Sequence, residues 1–330
     1  MATSTDTNES DGPLNRWVQR SIEDPERVYR ALFYTAMVFF MVTTLFPFYW
    51  LLVLALTPSS EITGGGFIPD ISLFGSNVPF PLPVPQGFDS GSFIAVFEEI
   101  PFHLYMLNSF ALAVTTTIIV LVVASLAGYV FGRLDFPGRA FLMLGILAIS
   151  YFPPAAFVVP LYDVFAGNAV TIPFTDVALF KSIELLNTPG AMVMPFSALF
   201  MPLSIFILTT FYGQIPDGLE DAARVEGTTR LGALFRVIMP LSAPGVATAA
   251  VLTFISVYNE YFFSSIMATS PQAVNWSPLV GGILSYQTQY TTNFQLMAAA
   301  SVVGVLPMLI LVIVAQERIV SGLTSGALKE

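Results

Sequence analysis

Six stretches of the chain contain no Asp, Glu, Lys or Arg: residues 31–60, 104–132, 140–162, 185–216, 237–259 and 261–316. A helix needs about 20 apolar residues to cross a hydrocarbon layer roughly 30 Å thick, and each stretch supplies them. The last has a polar middle, 269–293, rich in Asn, Gln, Ser, Thr and Pro, so only its end reads as a span. The pattern predicts an all-α membrane protein with six transmembrane helices, near 31–56, 107–131, 141–162, 191–212, 243–267 and 295–315. Pro47, Pro195 and Pro202 fall inside these spans. They are expected as kinks, because neighbouring helices can satisfy the carbonyls that such prolines free.

Composition agrees with lipid as the solvent. Of 330 residues 55% are hydrophobic and only 10% charged, with mean hydropathy +0.75, where a soluble domain carries about 25% charged residues. The absence of Cys excludes disulfides and thiolate chemistry. The single histidine, His103, leaves no basis for a His-rich metal cage and is expected at the membrane interface. A net charge of −10 with two lysines argues against nucleic acid as a partner. The first span is too long, and follows too long a polar tail, to be a cleaved signal peptide.

With six spans, both termini share one side. Every Arg falls on that side together with Lys329, and only Lys181 lies opposite. This positive-inside bias predicts cytoplasmic termini and cytoplasmic loops at 132–140 and 213–240. The opposite face holds 57–103, which carries Glu61, Asp70, Asp89, Glu98 and Glu99 and no basic residue. Pro79, Pro81, Pro83 and Pro85 there favour extended, polyproline-like backbone. A second external loop covers 163–190. The tail 1–28 is expected to be disordered at its start, with a surface helix near 14–30.

The loop between the fourth and fifth spans runs Ile215-Pro-Asp-Gly-Leu-Glu-Asp-Ala-Ala-Arg-Val-Glu-Gly227, then Thr-Thr-Arg-Leu-Gly-Ala-Leu-Phe-Arg-Val-Ile-Met-Pro240. Its residues predict two short helices. Asp217 is expected to cap the first, with Glu220 completing a capping-box-like pair. Gly227 supplies the stop, where a left-handed backbone is cheap only for glycine. Thr228 or Thr229 caps the second, Leu231, Leu234, Phe235 and Ile238 give it one apolar stripe, and Pro240 ends it. Such a knob, small at Ala222 and Ala223 and ringed by charge, suits the groove of another protein. An amphipathic hairpin lying on the membrane surface is the alternative.

The order Asp221-Ala-Ala-x3-Gly227-x9-Val237-x-Met239-Pro240 resembles the EAA loop of binding-protein-dependent ABC transporter permeases, Glu-Ala-Ala-x3-Gly-x9-Ile-x-Leu-Pro. It departs at Asp221, Val237 and Met239, each time keeping charge or apolarity. Pro47-Phe-Tyr-Trp-Leu-Leu, Asn108-Ser-Phe, Ala127-Gly-Tyr with Arg133 and Phe136-Pro-Gly-Arg139, Tyr258-Asn-Glu-Tyr261 and the tail from Gln316 to Lys329 also match. Together they resemble the MalG-type subfamily, over most of 30–330. The resemblance implies a type I importer permease fold at the cell membrane, carrying a sugar or related solute. It implies an ATPase dimer docked at Glu220, Asp221, Ala222, Ala223, Gly227, Val237 and Pro240, whose closure switches the helices between inward- and outward-facing states. It further implies a second, MalF-like permease subunit, an extracellular solute-binding protein and no cofactor. On this reading 1–28 and 317–330 are cytoplasmic tails, 29–56 is the first span, 57–103 an expanded external loop and 104–316 the permease core. No Gly-x4-Gly-Lys-Ser/Thr occurs, so ATP hydrolysis falls to the separate ATPase and the chain is not itself an enzyme.

Tyr258, Asn259 and Glu260 are candidates for the translocation pathway. A carboxylate at bilayer depth costs about 2.5–3.5 kcal/mol on insertion scales. Glu260 should therefore face water, a partner subunit or a hydrogen-bonding neighbour such as Asn259. The aromatic run Tyr258, Tyr261, Phe262 and Phe263 fits sugar stacking or ordinary packing. Loop 269–293, with Trp276, Tyr286, Gln287 and Tyr290, is a candidate for the pathway mouth. The small-residue ladder Ala124, Gly128, Gly132 allows close helix approach, within the chain or between subunits. An ion-gradient-driven carrier using Glu260 is the rival reading, and it gives the two-helix loop no role.

Overall fold

The computed structural model describes residues 25–63, 70–73, 76–79, 84, 87–171, 178–288 and 291–327. Residues 1–24 of the tail, Pro81, Pro83, Pro85, Tyr290 and Lys329 lie outside these. Among the described residues four helices are long and apolar enough to cross a membrane: α1 (Pro25–Leu56), α4 (Phe102–Arg133), α7 (Gly190–Tyr212) and α13 (Phe294–Ala327). Two sharply bent apolar pairs, α5 (Arg139–Ser150) with α6 (Ala155–Phe165) and α9 (Arg230–Leu241) with α10 (Ala243–Tyr258), bring the number up to six if each pair counts as one span.

The spans differ from expectation in two places. The third is not one helix: α5 and α6 meet at 84°. Pro153 and Pro154 stand at the break, and two consecutive residues without an N–H cannot carry a helix through. The fifth stops at Tyr258 instead of running to 267. Glu260 accepts from the N–H groups of Phe263 and Ser264 and starts a separate short helix, α11 (Ser264–Met267).

The segment expected as one extended external loop, 57–103, contains structure that its composition hides. It holds α2 (Ser59–Thr63), an antiparallel hairpin of β1 (Asp70–Leu73) with β2 (Ser76–Pro79), and α3 (Ser92–Glu99). Pro79 closes β2. Ser92 Oγ donates to the Ala55 carbonyl (2.7 Å) and Asp89 N–H to that of Leu56 (2.9 Å), so the start of α3 seals the end of α1. A second small hairpin pairs β3 (Ala169–Thr171) with β4 (Ala178–Lys181).

α4 lies at the centre of the bundle, against α7 along its length and against α10. Packing falls into two clusters. One joins Leu112, Phe196, Phe254, Tyr258 and Ala299; the other joins Ala124, Tyr129, Leu208, Tyr212, Leu234 and Ile238 at the end that carries loop 213–241. Two polar contacts in the core cross between helices, where lipid offers hydroxyls no other partner. Ser204 on α7 meets Thr253 on α10 (3.1 Å), and Tyr212 on α7 donates to Ser125 on α4 (3.2 Å). α1 is different: most of its residues from 29 to 49 are exposed apolar side chains, as befits a helix whose surroundings are hydrocarbon.

Candidate functional site

Loop 213–241 folds as two helices at a corner. The first is α8 (Asp217–Val225); the second is α9, capped by Thr229, whose hydroxyl accepts from Gly232 N–H at 3.1 Å. Gly227 between them stands at φ +89°, the left-handed region. Its N–H bonds to the Arg224 carbonyl and that of Thr228 to the Ala223 carbonyl, each at 3.0 Å. This pair closes the last turn of α8 in the Schellman manner, so the expected stop and cap both form here. α9 then widens into a π-turn over Leu234–Ile238. The wide turn precedes Pro240, whose ring would otherwise meet the Arg236 carbonyl. The helix thereby runs one residue past Pro240 to Leu241, and the chain turns 85° into α10.

The expected capping pair at the start of α8 does not form. No side chain caps that helix, because both carboxylates are drawn to Arg133 at the end of α4. Arg133 Nη1 lies 2.9 Å from Asp217 Oδ1, and its Nε lies 3.0 Å from Glu220 Oε2. The same guanidinium donates to the Ile215 carbonyl at 2.5 Å, and the Tyr129 hydroxyl donates to Glu220 Oε1. The Arg133 and Glu220 side chains are 4% and 10% exposed, whereas Asp217 is 89% exposed. Sequence reasoning places Tyr129 and Arg133 only within a matching stretch and, for Arg133, in the positive-inside bias; it misses their contact with Glu220, because nothing local to Tyr129 points 91 residues along the chain.

The other docking candidates face outward. Asp221, Ala222, Gly227 and Pro240 are exposed and Ala223 and Val237 half-buried, whereas Glu220 is buried against Arg133 and Tyr129 and lies off this outer face. The apolar stripe of α9 divides: Leu234 and Ile238 are fully buried in the core while Leu231 and Phe235 are exposed, as are Leu219 and Val225 on α8. The knob thus presents apolar groups and charges of both signs together around a sharp, open corner.

At the opposite end of the bundle the pathway candidates separate. Tyr258 is fully buried, stacked on Phe254 (5.8 Å), with its hydroxyl donating to the Gly304 carbonyl at 2.9 Å. Asn259 is exposed and donates to the Ile255 carbonyl and to Met308 Sδ. Glu260 does not pair with Asn259; besides the two N–H groups of α11 it accepts from Ser264 Oγ at 3.0 Å. Phe263 is buried against Phe196, and Phe262 is partly exposed. His103 is exposed in the first turn of α4.

Segment 269–288 is folded back onto α4. Tyr105 donates to the Pro271 carbonyl (2.9 Å), Asn108 to those of Ala273 (2.8 Å) and Ser277 (3.0 Å), and Ser109 Oγ accepts from Leu279 N–H (2.8 Å). There α12 (Leu279–Leu284) begins. Tyr286 is buried, its hydroxyl donating to the Val96 carbonyl; burial, with Glu99 nearby, pushes its phenol further above the usual tyrosine range. Trp276 is half-buried and Gln287 exposed.

The family model for the inner membrane component of binding-protein-dependent transport systems matches residues 124–324, from the last third of α4 through the two-helix loop and into α13. The chain belongs to this family. Membership makes this chain a membrane transport subunit and not an enzyme. Its relatives include the sulfoquinovosyl glycerol transport system permease protein SmoH of Agrobacterium fabrum, 33% identical over 289 residues, 88% of this chain and 90% of the relative. The trehalose/maltose transport system permease protein MalG of Thermococcus litoralis is 31% identical over 92% of this chain and 98% of its own length. Among solved structures, a chain of a bacterial ABC transporter involved in the import of the acidic polysaccharide alginate superposes with a TM-score of 0.67 at 17% identity. It covers 89% of this chain and 97% of its own, a likeness of fold. The multi-pass membrane architecture and the permease class read from the charge-free stretches and the loop are thereby established.

Proposed function

We propose that this transport component is one of two permease subunits of an ATP-driven importer for a saccharide or a related solute. Loop 213–240 faces the cytoplasm, both termini lie on that side of the plasma membrane, and segments 57–103 and 163–190 face out, where a solute-binding protein delivers cargo. The ATPase dimer grips the corner at Asp221–Gly227, and its closure drives alternating access. A second, MalF-like permease supplies the other docking loop. The tails 1–28 and 317–330, the first span at 29–56 and the permease core at 104–316 keep their places in this scheme. The relatives are named for the transport of sulfoquinovosyl glycerol and of trehalose and maltose, which supports a sugar-like solute.

One observation carries the docking reading. The corner around Gly227 is built rigidly from within, yet a side chain added at Gly227 would meet nothing within 4 Å. A self-contained surface hairpin would turn its apolar residues to its own core or to lipid. Here Leu219, Val225 and Leu231 stand exposed beside Asp221 and Arg224. The ion-gradient alternative gains nothing from Glu260, whose two oxygens are occupied by the first turn of α11.

The test is Gly227→Trp in the complete complex. The variant is expected to insert normally, to lose its ATPase on co-purification and to lose uptake. A Gly227→Trp chain that still co-purifies with an active, transporting complex overturns the docking assignment. Because the chain has no Cys, a single Ala222→Cys also reports sidedness: an impermeant maleimide should label it in inverted vesicles and not on intact cells.

A further inference from the structure

The polar contacts between the loop and the end of α4 invite a mechanical reading, which rests on the docking proposal above. We propose that Arg133 and Tyr129, holding Glu220, are positioning residues that convert movement of the loop into movement of α4, so that ATP hydrolysis is coupled to solute transfer.

Three features of the geometry carry this. First, a single guanidinium reaches three points of the loop: the Ile215 carbonyl ahead of α8, and Asp217 and Glu220 in its first turn. A planar fork with several fixed donors resists sliding and rotation where a lysine ammonium would allow both. Second, the inner part of this contact is buried, with Arg133 and Glu220 shielded and Tyr129 closing the second carboxylate oxygen. Separating the pair leaves a buried charge uncompensated, which is strongly unfavourable, so the loop and the end of α4 move together. The outer pair Asp221–Arg224, 3.9 Å apart and exposed, has no such hold on the bundle.

Third, α4 is suited to carry a displacement. Of the four long unbroken helices, α1 contains Pro47, α7 contains Pro195 and Pro202, and α13 contains Pro307. α4 runs 32 residues from Phe102 to Arg133 with no proline, a length of about 48 Å at 1.5 Å per residue. Every backbone hydrogen bond of its interior is available, so it is the straightest path between the two ends of the molecule. Its far end holds the folded-back segment through Tyr105, Asn108 and Ser109. A pull at Glu220 is thus delivered at the opposite face to residues 271–279.

The experiment uses the whole complex, with ATPase, partner permease and solute-binding protein, reconstituted in proteoliposomes. The quantity read is solute transported per ATP hydrolysed, alongside the amount of ATPase retained on purification. Tyr129→Phe removes one hydroxyl and Glu220→Gln one charge. Both should keep the ATPase bound and hydrolysing while the transported-to-hydrolysed ratio falls about threefold to thirtyfold. Arg133→Lys, which loses the fork, should lower the ratio at least as far as Tyr129→Phe. Ratios unchanged in Tyr129→Phe and Glu220→Gln overturn the proposal. Release of the ATPase by Glu220→Gln also overturns it, since Glu220 would then belong to the docking surface. Should Glu220→Gln fail to insert, Tyr129→Phe decides alone. Failure of the docking reading is seen separately, as ATPase retained by Gly227→Trp.

Discussion

Gly128 on α4 packs directly against Leu208 on α7, with no room for a methyl group between them: a Cβ at position 128 would stand 2.9 Å from Leu208 Cβ. One helical turn on, a Cβ at Gly132 would lie 3.0 Å from the Thr209 carbonyl oxygen and 3.2 Å from Tyr212 Cβ. Ala124, one turn earlier, is fully buried. The small-residue ladder therefore serves packing within the chain, and it lets the two central helices meet backbone to backbone. Such contact replaces the hydrophobic drive that is absent between helices in lipid.

Gly128→Ala should consequently destabilise the bundle. In an open helical position the same change stabilises by about 0.5–1 kcal/mol. Here overpacking, at about 1–3 kcal/mol, outweighs it. The check is thermal unfolding of the purified chain in detergent, with Gly145→Ala as the control. Gly145 on α5 has nothing within 4 Å of a Cβ and should gain stability. Equal behaviour of the two variants would show that α4 and α7 are further apart than this packing requires.

Glu260 gives a second expectation. Its oxygens cap α11 by accepting from Phe263 N–H at 2.8 Å and from Ser264. Glu260→Gln keeps one acceptor and should leave uptake within about twofold of the unaltered chain, while Glu260→Ala removes both and should cost about 1 kcal/mol, the usual value of a cap. Paired measurements of uptake and melting temperature separate this from a pathway role. In that case the loss of charge alone, in Glu260→Gln, would already abolish uptake at unchanged stability.

The sequence and the structure agree where the governing physics is local or one-dimensional. A charge-free run of suitable length has one solvent available to it, so the four long spans were legible, and the third and fifth were legible as apolar runs but not in their bends. A glycine ten residues after Asp217 and just ahead of a capping Thr is the residue for which a left-handed turn is cheap, and Gly227 adopts that turn. Breaks inside apolar runs were harder to read. Pro153-Pro154 was a visible signal, since adjacent prolines remove two donors at once, whereas a lone Pro195 or Pro202 stays inside α7. The end of α10 at Tyr258 depended on Glu260 capping forward rather than pairing backward. Least legible were the links between distant segments. Glu220 chose Arg133, 87 residues away, over the local cap that its spacing from Asp217 suggested, because a buried guanidinium is a stronger partner for a carboxylate than one backbone N–H. Nothing in a single chain's pattern announces that choice.

The left-handed turn at Gly227 predicts an order among substitutions. With open space around it, the cost of a side chain is conformational: about 1–2 kcal/mol for most L-residues and less for Asn. Gly227→Asn should retain most of the ATPase on purification, Gly227→Ala less, and Gly227→Trp none, because its indole also fills the outer face of the corner. If Asn and Trp retain the ATPase equally, neither the turn nor its exposed face matters for docking.

Asn108 gives the last expectation. Its side-chain amide donates to two carbonyls, Ala273 at 2.8 Å and Ser277 at 3.0 Å, and with Tyr105 and Ser109 it fixes the path of 271–279 across the end of α4. Asn108→Leu keeps the volume and removes both donors. The two carbonyls then need water, which that half-buried site admits only if the segment lifts. The cost of leaving them unpaired is about 1–3 kcal/mol, enough to raise the open population of the segment by one to two powers of ten while α4 itself stays folded. Hydrogen exchange followed by mass spectrometry should show faster exchange confined to 271–285, with the core of α4 around Leu112–Ala124 unchanged. Exchange accelerated along all of α4 would mean that the segment supports the helix, reversing the dependence argued here. Unaltered exchange at 271–285 would mean that Tyr105 and Ser109 hold it without Asn108.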